Sequence, residues 1–159
     1  MNMDFIDIFT SPVKTVTLHA YNLNGDLVFN KTEKVSDIAA AGGYMKLDIK
    51  PGIYTLHVWA EGEERQPNSY IYTTSGDATN DIAKLDCKIN RTTRDIQHDL
   101  TALYHGYSKN VDLRMEDYGT KTVMVPLTKN TNNVKVVIQN TSGKKLKASD
   151  FDFKIDDDN

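Results

Sequence analysis

Four histidines, a single cysteine and an acidic terminus are the side chains of this 159-residue chain that could perform acid–base or ligand chemistry. His19, His57, His98 and His105 carry imidazoles, the group best suited to proton transfer near neutral pH and to borderline metals. Their spacing matches neither a zinc-binding helix nor a Cys-His finger, since His98 and His105 stand seven residues apart. His19 and His57 fall on phases of strands that face outward, and the set is read as surface or turn histidines. Cys87 has no second cysteine to pair with, which excludes an intramolecular disulfide. It is in phase with Leu85 and Ile89 along the run 82–89, the pattern of a small buried hydrophobe in a strand. A catalytic thiol would need an activating base that the sequence does not place beside it.

The terminal run 156–159, with Asp150 and Asp152 before it, could gather calcium. It lacks the glycine and the distal glutamate of an EF-hand loop and is read as a solvated strand end. Nucleophile-elbow, phosphate-loop and dinucleotide glycine motifs are all missing from the sequence. The expectation is a protein that is not an enzyme and has no catalytic, cofactor or metal residues. The aromatics Trp59, Tyr70, Tyr72, Tyr104, Tyr107 and Tyr118 could line a sugar platform, because Trp59 and the pair Tyr70/Tyr72 flank a long loop. Core packing or loop anchoring is the preferred reading of them. Asn30, Asn90 and Asn140 open glycosylation sequons, read as chance matches in a chain rich in Asn and Thr.

The elements that must position these residues are strands. Val16, Leu18 and Ala20 alternate with Thr15, Thr17, His19 and Tyr21, and a turn carrying Asn24-Gly25 leads into Leu27-Val28-Phe29. That predicts a hairpin closed by a primed turn, with positive φ at the Asn-Gly pair. Residues 36–43 form a polar stretch rich in small side chains. Met45, Leu47 and Ile49 then alternate up to the Lys50-Pro51-Gly52 turn. Tyr54, Leu56, Val58 and Ala60 take one face beyond it, and Ile53, Thr55, His57 and Trp59 the other. A second hairpin is expected here, its later strand central in a sheet because both faces are apolar in part.

Residues 61–80 read as a long surface excursion and 82–89 as the next strand. A short helical turn fits Asp95 to Leu103, with Ile96, Leu100 and Leu103 at helical spacing. Val111, Leu113 and Met115 alternate, then Val123, Val125 and Leu127, where Pro126 demands a sheet edge or a strand end. Val134, Val136 and Ile138 form the strongest β run, and Phe151, Phe153 and Ile155 the last one. About eight or nine short strands, with no helix long enough for a βαβ unit, predict an all-β, two-sheet antiparallel β-sandwich.

The composition is 39% hydrophobic and 26% charged, that of a globular chain, and the net charge of −3 offers nucleic acid no basic face. The one basic cluster, Lys144, Lys145 and Lys147, reads as a solvated turn. No apolar stretch is long enough to span a membrane, and the first residues show neither a basic n-region nor an apolar h-region.

Several blocks, taken in order, resemble a known family. They are 16–26, the run from Met45 to Ala60, Leu103-Tyr-His-Gly106, residues 125–139 and the ending 150–159. Pro126-Leu-Thr-Lys-Asn-Thr-Asn-Asn-Val134 and Phe151-Asp-Phe153 are the most specific of them. The series resembles the N-terminal domain of the FimB-type, fimbrillin-A-associated anchor proteins of certain Gram-negative anaerobes, over nearly the whole chain. The resemblance implies a Greek-key, transthyretin-like sandwich, the first of two in an outer-membrane lipoprotein that anchors surface fimbriae and affects their length.

Residues 1–159 would then be a single domain. The leader, the acylated cysteine, the second domain and an opening strand before Asn2-Met3 would lie outside this chain, since Cys87 sits mid-chain and cannot be the lipid site. Fimbrial subunits are the implied partners, docked by strand addition at a sheet edge, and attachment to the outer membrane would run through a lipid anchor. The competing reading is a carbohydrate-binding β-sandwich module of a surface protein.

Overall fold

The computed structural model describes residues 13–62, 72–74, 81–90, 100–114, 120–132, 134–141, 143 and 145–155. Its centre is β1 (Thr15–Tyr21), seven residues that are all buried. A strand buried throughout needs neighbours on both sides and cover on both faces. β2 (Leu27–Lys34) and β3 (Ile53–Glu61) flank it antiparallel. The helix α1 (Val35–Ala40) follows β2 and drops Ile38 into the core. β4 (Tyr72–Thr74) and β5 (Cys87–Ile89) pair as a separate two-stranded sheet. β6 (Leu103–Asp112) lies against β3, and β7 (Thr128–Lys129) closes the larger sheet, whose order is β2-β1-β3-β6-β7. The architecture is all-β with two antiparallel sheets, as the alternation predicts.

Period two divides the large sheet cleanly. Val16, Leu18 and Ala20 stand opposite Ala60, Val58 and Leu56, and with Tyr104 and Val111 they form the main core. A second layer covers this face. Met45, Leu47 and Ile49, then Val123, Val125 and Leu127, pack on the core while the residues between them stay exposed. Neither segment joins a ladder before β7 begins. The expected hairpin between Met45 and Ala60 is therefore corrected: β3 is the central strand foreseen, and its predicted partner lies across the core from it instead of beside it.

Gly106 permits this crossing. It stands opposite Val58, and the Pro126 carbonyl occupies the place a Cβ would take, with Leu127 Cδ2 at 2.9 Å from that position. β7 begins two residues after Pro126 and lies at the sheet edge, where a residue without an N–H is tolerated.

Other expectations change. The first hairpin forms, but only Gly25 of the Asn-Gly pair has positive φ, at 85°. The Asn22 side chain accepts from the N–H groups of Asn24 and Asp26, so a local side-chain clamp shapes the turn. A bulge between Ala20 and Tyr21 absorbs the extra residue. The run 82–89 is not one strand: Ile82–Lys84 is a 3-10 turn, capped by the Asp81 carboxylate on the Ala83 N–H, and only Cys87–Ile89 pairs. Leu103 opens β6 and does not close a helix, because its backbone is matched to Glu61 of β3. The helical expectation over 95–99 lies outside the described residues, as do Met115 and the turn 117–119.

Candidate functional site

The face of the large sheet opposite the main core is polar and aromatic. Cross-strand register places His19 of β1 opposite His57 of β3, and His57 opposite Tyr107 of β6. One step along, Thr17 faces Trp59 and Trp59 faces His105. Three of the four histidines, far apart in sequence, thus meet on three adjacent strands.

Ring contacts join them. His105 stacks on Trp59 with centroids 4.0 Å apart, and His57 stacks on both His105 and Tyr107 at 5.4 Å. Tyr21 meets His57 edge-on at 6.0 Å, and His19 stacks on Tyr21. His57 Nδ1 lies 3.2 Å from His105 Nε2, a hydrogen bond in which one ring must be the donor.

Burial lowers the pKa of His57 first, and the neighbouring His105, His19 and Lys109 lower it further, to about 4. Burial also lowers His105. Both rings are therefore neutral at physiological pH. His19 is wholly buried, which corrects its outward assignment: alternation identifies the opposite face, and that face is covered at β1.

Trp59 and Tyr72 are buried, and the Tyr72 hydroxyl donates to the Thr101 carbonyl at 2.7 Å. Together with Leu103 they form a second small core, against which Cys87 packs half-buried. Tyr104 belongs to the main core, so Tyr107, 52% exposed, is the described aromatic of that set which faces solvent. Tyr70, Tyr118 and His98 lie outside the described residues. Among the described residues no group of three or more His, Cys, Asp or Glu side chains could hold a metal ion. Asp150 sits in a 3-10 turn, and Asp152 is exposed.

The other candidate surface is an arm, residues 134–155. Val134, Val136 and Val137 are exposed by 60% or more, Phe153 by 63% and Ile155 by 75%. Val136, Ile138, Leu146, Phe151 and Phe153 line a shallow groove made by the arm itself, and the rings of Phe151 and Phe153 are 6.3 Å apart. Residues 134–140 belong to no helix and join no ladder, and Thr141 turns the chain. This corrects the expectation that the strongest β run would be a paired strand. Its side chains have the pattern of a strand, and a partner layer is lacking among the described residues. The sequence identifies the arm by pattern, whereas the histidine row needs cross-strand register to be seen.

The profile of the fimbrillin-A associated anchor proteins Mfa1 and Mfa2 matches residues 1–159. Among solved structures, a proposed polysaccharide-binding protein from Bacteroides thetaiotaomicron superposes with a TM-score of 0.59 at 22% identity, covering 80% of this chain and 43% of that one. A proposed adhesin from Bacteroides ovatus gives 0.60 at 22% identity, covering 80% of this chain and 42% of that one. Likeness at this identity establishes a shared fold. The chain spans less than half the length of either structure. The comparison with curated proteins finds no match.

Proposed function

The chain belongs to the fimbrillin-A associated anchor protein family, and from that membership we propose that it is a structural subunit that attaches a fimbrial fibre to the outer membrane. It would be the first of two sandwich domains, a reading supported by its spanning less than half of the longer structures of like fold. Membrane attachment would run through a lipid group.

The exposed β run of the arm carries the reading. An exposed apolar run that joins no ladder gains both hydrogen bonds and burial when a strand is laid beside it. Each newly paired residue contributes modestly, roughly 0.5–1.5 kcal/mol per net hydrogen bond, so several residues in register are required for affinity. The outer edge of β2 is a poorer site. Lys31, Glu33 and Lys34 crowd it, with Lys31 bound to Glu33 at 2.5 Å, and edge charges of this kind discourage pairing. We therefore assign strand addition by fimbrial subunits to residues 134–139.

Amide hydrogen exchange of the chain mixed with peptides from the termini of fimbrial subunits tests this. The expected outcome is new protection confined to 134–139, lost on Val136→Asp. No binding by any such peptide, or protection elsewhere, would sink the assignment.

The carbohydrate-binding alternative draws on the description of one structure of like fold. Against it stands the burial of Trp59 and Tyr72, the aromatics that would have formed the platform. A glycan array decides, with binding abolished by Tyr107→Ala as the result that would restore it.

A further inference from the structure

The histidine row has no part in strand addition, and its geometry suits another ligand. We propose that His57 and His105 form a binding site for a borderline first-row divalent cation, Cu(II) or Zn(II), with solvent completing the coordination. Two nitrogens bound to one such ion at about 2.0–2.1 Å and near-tetrahedral angles lie roughly 3.1–3.4 Å apart. His57 Nδ1 and His105 Nε2 are already 3.2 Å apart. An ion can therefore bridge the two nitrogens at their present separation once each ring tilts to aim its lone pair at it. The ring that donates in the metal-free state then carries its proton on its other nitrogen.

The site is built as well as spaced. Both side chains stand on long, mutually paired strands, β3 and β6, so their Cα positions are fixed by the ladder. Trp59 stacks on His105, and Tyr107 stacks on His57, which limits the rotations open to each ring. Neither histidine is fully buried, so an ion can reach the pair from solvent.

The donor set selects the cation. Two imidazoles without a carboxylate or thiolate suit copper, nickel and zinc, and Cu(II) binds tightest of the series. Hard ions such as Ca(II) and Mg(II) require oxygen ligands, which the pair does not offer. Two protein ligands also mean modest affinity, since no described group of three or more is present. Lys109, whose ammonium lies 5.4 Å from the Tyr107 ring, lowers it further by repelling a second cation.

The chain contains one tryptophan, and it touches the site. Cu(II) titrated into the Cys87→Ser protein, which removes thiol chemistry, should quench Trp59 emission saturably at one ion per chain. His57→Gln and His105→Gln should each weaken binding at least tenfold, and His98→Gln should leave it unchanged. Lys109→Gln should tighten it several-fold, and Zn(II) should compete. Quenching that fails to saturate, that survives both histidine substitutions or that follows His98 overturns the proposal. Far-UV circular dichroism checks that each variant folds. Paramagnetic resonance of the Cu(II)-loaded Cys87→Ser protein gives an answer independent of further substitution: two coupled nitrogens support the site, and fewer overturn it.

Discussion

The body of the protein, from Thr15 to Lys129, and the arm from Val134 to Ile155 follow the same alternating pattern and reach opposite burial. Leu18 and Val136 are both in-phase apolar residues of β runs, yet Leu18 is 4% exposed and Val136 is 60% exposed. Alternation determines which way a side chain points. A second layer decides whether pointing that way stabilises anything. In the body that layer exists: α1, Met45–Ile49 and Val123–Leu127 cover the face that β1, β3 and β6 present. In the arm the same side chains border a shallow groove of their own making. One region is therefore a finished core and the other an apolar surface, and large exposed apolar patches mark interaction sites more often than they stabilise a monomer.

The strongest way to break this contrast is to truncate one residue in each region. Leu18→Ala removes buried methyl groups from the middle of a strand covered on both faces, and should cost about 3–4 kcal/mol in urea unfolding. Val136→Ala should cost under about 0.5 kcal/mol, the range of ordinary surface changes. Equal losses at the two positions would mean that the arm is as well packed as the body.

Gly106→Ala comes next. A methyl group there must displace the Pro126 carbonyl, a backbone atom with no rotamer to escape into, and it also meets Leu127. We expect roughly 2–3 kcal/mol of destabilisation, at the upper end for overpacking by one carbon. Val58, opposite Gly106, should be the first core position to show altered methyl chemical shifts. A neutral Gly106→Ala would show that the layer formed by Val123–Leu127 can move away freely.

What the sequence revealed follows from the same distinction. Period two was enough to find β1, β2 and β3, to mark β3 as central and to place Pro126 beside an edge, because these are properties of a strand and its own residues. Pairing partners are legible only where a tight turn joins the strands, as Asn24-Gly25 joins β1 to β2. Met45–Ile49 reads as the hairpin partner of β3 through proximity alone, and nothing local says that it crosses to the other layer. Gly106 gives no signal in isolation; its role appears only when Pro126 arrives above it.

The helix α1 was missed because six residues with a single buried apolar side chain, Ile38, show no helical period. The histidine row is the extreme case. His19, His57 and His105 are separated by tens of residues, and only the β1-β3-β6 register aligns them. The arm reads as a strand because its local signal is strong, and the lack of a covering layer among the described residues is a tertiary fact.

The mildest prediction concerns pH, and it places the sensitivity within the body. His57 is held near 4 in the folded protein and takes up its proton near 6.5 when unfolded, where burial and its neighbours no longer act. The unfolded chain therefore binds more protons between those values, and stability must fall as pH drops from about 6.5 to about 4. The groups that face the ring are His105, Tyr107 and Lys109 of β6 and His19 and Tyr21 of β1, and among these the cationic or cation-forming side chains all oppose its protonation. Because the ring is only half-buried, solvent screening reduces the effect to about 1 kcal/mol over that window. His105, lowered by its own burial, adds in the same direction. Asp112, held low by the Arg114 guanidinium, is protonated in the unfolded chain around its ordinary 3.8 and so adds to the loss only at the lower end of this window. Urea midpoints measured in metal-free buffer from pH 7 to pH 4 should slope downward for the native chain and for Val136→Ala alike. His57→Gln should flatten the slope. A slope that His57→Gln leaves intact would move the sensitivity to other groups and remove His57 as its source.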